Sequence, residues 1–119
     1  MRPETAKRLL DARVAARRIR KFTAGLDFSG FSRSEMVRSA VERQFEIVGE
    51  ALGKAAEVEP AVAEQIPDLR RVVGLRNRLI HGYDSVDDEI IWDIVQTKIP
   101  PLAAQLDHLL TESGFASAE

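Results

Sequence analysis

The sequence predicts an all-α protein, a bundle of four long helices plus one or two short ones. Three observations carry this. Apolar residues recur with a helical period along nearly the whole chain, no segment alternates convincingly with period two, and glycines and prolines fall in clusters between the periodic runs. A length of 119 residues suits a single domain with a real hydrophobic core.

The first helix is expected from about Pro3 to Phe22, with a stripe of Leu9, Ala12, Ala16, Ile19 and Phe22. The stretch "TAGLDFSGF" then breaks it. Ser32 and Glu35 have the spacing of a capping box and are expected to start the second helix. Its stripe runs Val37, Ala40, Val41, Gln44, Ile47, Val48, Ala51, Leu52 and Ala55, and "EVEP" ends it. "AVAEQI" reads as one short turn of helix. Pro67-Asp68 opens the third helix, which ends near Gly82. Ser85 and Asp88 suggest the cap of a fourth, carrying Ile90, Ile91, Ile94 and Val95. Pro100-Pro101 must break or kink that helix, and proline suits the first turn of the segment carrying Leu102, Leu106 and Leu109. Residues 1–113 therefore form one domain, and residues 114–119 are expected to be a frayed tail. Short loops make neighbouring helices antiparallel.

Composition excludes several functions. No run approaches the ~18 apolar residues of a membrane span, and the charged N-terminus has no apolar core of a secretory signal. The absence of cysteine removes disulfides and thiolate chemistry and fits a cytoplasmic protein. The net charge of −2 hides segregation. Residues 1–43 carry eleven Lys/Arg against five acids, and residues 70–78 hold four arginines and no acid. The balanced total therefore does not exclude an anionic ligand, which would have to bind where these two blocks meet, away from the acidic tail.

The third helix carries the chemistry. Leu69, Val72, Val73, Leu79 and Ile80 outline an apolar stripe in which position 76 is Arg and position 83 is Tyr. An arginine in a buried stripe needs a partner. Arg76 must meet a carboxylate, a phosphate or a cleft open to water, and Glu46 and Glu50 are the candidate carboxylates. His81 follows five residues later, ~140° around a straight helix, just before Gly82, a natural C-cap. A histidine there can also simply complement the helix dipole. Arginine offers a fixed charge and a fork for phosphate; histidine offers proton transfer near neutral pH. With only His81 and His108, and no His-Glu-x-x-His pattern, neither a metal site nor a cofactor is expected, and His108 reads as a partly exposed helix residue. The combination points to phosphodiester chemistry in which RNA supplies its own 2′-hydroxyl.

The stretch "RNRLIHGY" resembles the Arg-x-x-x-x-His-x-Tyr signature of the HEPN superfamily, in its HepT-like toxin branch. "SAVERQFEIVGEAL" is similar to that group's second helix, and "IIWDIVQTKIPPL" to the helix after the motif. The resemblance implies a helical-bundle homodimer that cleaves RNA without metal in a cleft shared by two motif helices. It assigns Arg76 to the scissile phosphate, His81 to general acid–base catalysis and Asn77 to positioning. It implies a minimal nucleotidyltransferase antitoxin as partner, which transfers AMP to Tyr83. A non-catalytic RNA- or nucleotide-binding companion of a nucleotidyltransferase, and a structural dimer with Arg76 in an ion pair, are the competing readings. Arg70, Arg71 and Arg78 are candidates for an RNA-binding flank, and Asp11 for reaching the motif within one subunit. Trp92 reads as packing, with stacking on a base as its functional alternative.

Overall fold

The computed structural model describes residues 1–81 and 86–115, and at His81 the backbone alone. Among these residues all regular structure is helical. Helix α1 spans Pro3–Thr23, α2 Phe28–Arg33, α3 Glu35–Val58, α4 Pro60–Ala63, α5 Leu69–His81, α6 Asp88–Thr97 and α7 Ile99–Glu112.

Helix α3 is the centre of the bundle. It packs on α1 along one side and on α5 along another, while α1 also packs on α7 and α6 packs on α7. Leu9, Ile19, Phe45, Leu52, Ile91 and Leu106 are fully enclosed between these helices. Helix α5 has only α3 as a substantial neighbour among the described residues, so much of its surface is left open.

Local chemistry explains the ends. α1 begins with proline in its first turn and ends with Arg20 and Lys21, matching the helix dipole at the basic end. Its first turn is capped from a distance. Glu59, at the end of α3, accepts the Arg2 backbone N–H at 2.9 Å and the Thr5 hydroxyl at 2.8 Å. Those bonds, the backbone one first, hold the Glu59 carboxyl below the usual carboxylate range. Glu42 shows the reverse: burial, then the Asp88 carboxylate, pushes it up.

Four details differ from the sequence reading. The break after α1 contains helix α2, started by Asp27, whose carboxylate accepts the Gly30 N–H at 2.7 Å. The cap of α3 is Ser34, which accepts the Val37 N–H at 3.1 Å. Ser32 instead lies inside α2 and turns its hydroxyl to Asp88. Asp87, not Asp88, caps α6, accepting the Glu89 N–H; Ser85 lies outside the described residues. Gly114 (φ 81°) and Phe115, in the expected tail, close α7: the Phe115 N–H reaches the Leu110 carbonyl at 2.8 Å and the Gly114 N–H that of Thr111 at 3.2 Å. The rest of that tail, residues 116–119, lies outside the described residues.

The expected division of the last helical region holds. Lys98 separates α6 from α7, and the prolines occupy the first turn of α7, where the missing N–H costs nothing. Trp92 packs against Phe31, ring centroids 5.3 Å apart, and so ties α6 to α2. No helix among the described residues is long and apolar enough to cross a membrane.

Candidate active site

The buried face of α5 is turned relative to the expected stripe. Val72 and Leu75 are its buried residues, whereas Val73 and Arg76 are partly open and Ile80 is 47% exposed. At ~100° per residue the centre of burial lies roughly a quarter turn from the stripe anchored on Leu69. That stripe passed over Leu75. Arg76 is therefore not in the middle of the core but at its edge, where α5 faces α3.

A glycine makes this edge possible. Gly49 of α3 is buried directly against Arg76. A Cβ on Gly49 would lie 2.7 Å from the Arg76 Cγ and closer still to its Cβ. The missing side chain lets the stem of Arg76 cross α3 at close range. The next residue, Glu50, then meets the guanidinium: its Oε2 lies 2.6 Å from Nη2. Nη1 donates to the Asn77 Oδ1 at 2.9 Å. Nε is enclosed and has no hydrogen-bond partner among the described residues. Among the described residues each terminal nitrogen thus uses one of its two N–H groups. Of the two candidate carboxylates, Glu50 takes Arg76, and Glu46 bonds Arg43 at 3.1 Å instead.

Arg76 borders a groove of about 590 Å³ between α1, α3 and α5. Asp11 of α1 lines the same groove but bonds Lys7 at 2.7 Å. Ile47 and Ile80 add apolar wall, and Arg8, Arg18 and Arg43 add charge. The two basic blocks of the sequence do meet here.

The remaining candidates separate. His81 ends α5, so Arg76, Asn77 and His81 share one helix, but the His81 side chain lies outside the described residues, as do Gly82 and Tyr83. Arg70 borders a different depression beside α4. Arg71 faces α6, 3.7 Å from Asp93. Arg78 is exposed. His108 is exposed on α7 and pairs with Glu112 at 3.1 Å. Among the described residues no group of three or more His, Cys, Asp or Glu side chains is placed to hold a metal ion. Gly49 was absent from the sequence reading; its position one turn before Gly53 and beside Glu50 was the available signal.

A partly exposed arginine held by a carboxylate, on an edge helix of an all-α bundle, defines a candidate anion site. Residues 12–109 match the family described as HepT-like: Ribonuclease HepT-like. The chain belongs to that family, in the HEPN superfamily. It is 33% identical over 101 residues to "Putative RNase MJ1380" of Methanocaldococcus jannaschii, covering 83% of this chain and 90% of that one. It is 32% identical over 101 residues to "Probable ribonuclease HepT" of Thermococcus cleftensis, covering 85% and 91%. No solved structure is significantly similar to the chain.

Proposed function

We propose that this protein is a metal-independent endoribonuclease, with Arg76 and His81 as catalytic residues. The observation that carries it is the placement of Arg76: anchored by Glu50 and Asn77, yet bordering an open groove on the helix that ends at His81. Membership of a ribonuclease family supports the same reading.

The chemistry balances without a cofactor. The 2′-oxygen attacks the adjacent phosphorus as His81 removes its proton, and the P–O5′ bond breaks as the leaving oxygen takes up a proton from the histidinium so formed. Arg76 stabilises the charge that builds on the phosphorane oxygens. The products are a 2′,3′-cyclic phosphate and a 5′-hydroxyl. Two copies would form one composite cleft about a two-fold axis. The exposed Ile80 and half-buried Ile47 beside Arg76 supply apolar surface for that contact. A nucleotidyltransferase antitoxin would silence the enzyme by AMP transfer to Tyr83, placing a phosphodiester anion close to the guanidiniums that RNA needs.

The ion pair of Arg76 with Glu50 also favours a second reading, a non-catalytic nucleotide-binding companion in which Arg76 is structural. One experiment separates the two. Purified protein in excess EDTA should cleave RNA to cyclic-phosphate ends, and protein coexpressed with the nucleotidyltransferase should gain AMP at Tyr83 and lose cleavage. No cleavage, or cleavage that needs magnesium, overturns the ribonuclease proposal; silencing with Tyr83 unmodified overturns the AMP switch.

A further inference from the structure

The carboxylates of the groove are all engaged. Asp11 bonds Lys7, Glu46 bonds Arg43 and Glu50 bonds Arg76, each at 3.1 Å or less. Two arginines that line the same groove, Arg8 and Arg18 of α1, have neither a hydrogen bond nor an ion pair among the described residues. The groove therefore carries its surplus positive charge on α1, in a chain whose net charge is −2.

We infer that Arg8 and Arg18 form the track along which the sugar–phosphate backbone of single-stranded RNA reaches Arg76. Ten residues of helix separate them, about 15 Å of rise, or roughly four stacked nucleotides at ~3.4 Å each. A lone phosphate or a nucleotide cannot bridge that distance, and a strand can. Single-stranded RNA also suits the reaction, because in-line attack by a 2′-oxygen needs backbone rotation that a duplex resists. The assignment extends RNA binding from α5 onto α1, since of the α5 flank Arg71 pairs with Asp93 and Arg70 borders a separate depression. It rests on the ribonuclease reading only in taking the polyanion to be RNA.

The test uses a single-stranded 2′-O-methyl oligonucleotide, which binds but cannot be cleaved, so that binding is read independently of catalysis. Its affinity is measured against salt for the wild type, Arg8→Ala, Arg18→Ala, and Arg20→Ala, whose side chain borders a different groove. Each α1 groove variant should lower the slope of log K against log salt by ~0.7 and weaken binding about fivefold at 0.1 M salt. Arg8→Lys and Arg18→Lys should keep the wild-type slope, since charge and not shape is required. Unchanged slopes, or an equal loss with Arg20→Ala, overturn the track. A changed dimer dissociation constant with unaltered oligonucleotide affinity also overturns it, and assigns these arginines to a contact between copies. If the slopes fall as expected while RNA is never cleaved, the track stands and the ribonuclease reading fails.

Discussion

Two arginines sit on helix faces that pack against other helices, and they are held differently. Arg13 of α1 is 2% exposed, enclosed between α1 and α7. Its Nη1 reaches the Asp107 Oδ1 at 3.5 Å, and Arg17 approaches the same oxygen at 3.1 Å. Asp107 is about half exposed, whereas the Arg13 side chain, guanidinium included, is closed off from water. The Arg76 side chain is 28% exposed, bonded to Glu50 and bordering the groove. By sequence the two look alike: Arg13 stands four after Leu9 and three before Ala16, in the stripe of α1. An arginine in an apolar stripe is thus not in itself a sign of a site. What differs is closure. A second helix covers Arg13, whereas among the described residues one side of α5 is open and leaves Arg76 reachable by a ligand.

The comparison is broken most directly by truncating each arginine. Arg76→Ala should reduce RNA cleavage ~10²-fold or more, the usual loss for one donor to a developing oxyanion. The fold should survive, because the abandoned Glu50 is about half exposed and regains water. Arg13→Ala should do the opposite. It should lower stability by about 1.5–3 kcal/mol, the range for a hydrogen bond to a charged group, while cleavage per folded molecule is kept. Thermal melts followed by circular dichroism, with single-turnover cleavage on the same samples, read both effects. Loss of cleavage in a fully stable Arg13→Ala would erase the distinction.

A smaller effect should come from two glycines one turn apart on α3. Gly49→Ala forces a methyl group into the stem of Arg76, so α5 must retreat from α3. Overpacking of this kind costs ~1–3 kcal/mol, and the displaced guanidinium should slow cleavage, since a shift of ~1 Å can cost ~10²-fold. Gly53→Ala meets nothing within 4 Å. It should be neutral or stabilise the helix by up to ~1 kcal/mol, with cleavage unchanged. Equal behaviour of the two variants, by melting and by rate, would show that close packing at Gly49 does not set the position of Arg76.

These glycines also mark what could be read beforehand. Periodicity located every long helix, because burial along a helix must recur at 3.6 residues, and the prolines of α7 marked its start. Helix α2 escaped because Gly30 and two serines made six residues look like a loop, although Asp27 offered the cap. The rotation of α5 escaped for a different reason. Both Leu75 and Ile80 are apolar, and the packing of α5 on α3, close at Gly49, decides which one faces the core. The motif arginine was found from its own helix, but its partner was left open between Glu46 and Glu50, four residues apart on one face of α3. Packing between helices settles that choice, and a single helix does not contain it.

The finest distinction lies in what Glu50 does for Arg76. If it only anchors the guanidinium, a neutral acceptor should nearly suffice; if it also offsets charge, its removal should change how strongly an anion is held. Glu50→Gln keeps an oxygen at the same reach and removes the charge. Partly exposed ion pairs contribute ~0.2–1 kcal/mol, so thermal stability should move within that range. Kinetics should split. Without the competing carboxylate, Arg76 attracts the RNA backbone more strongly, and KM should fall about two- to fivefold. The looser guanidinium should be less well placed for the phosphorane, so kcat should fall by a similar factor, leaving kcat/KM nearly constant. Glu50→Ala, which has no acceptor, should lower kcat further than Glu50→Gln. A purely structural Glu50 would instead lower the melting temperature and leave both constants per folded molecule at wild-type values, and that result would place Glu50 beside Asp107, as a brace and not as part of the site.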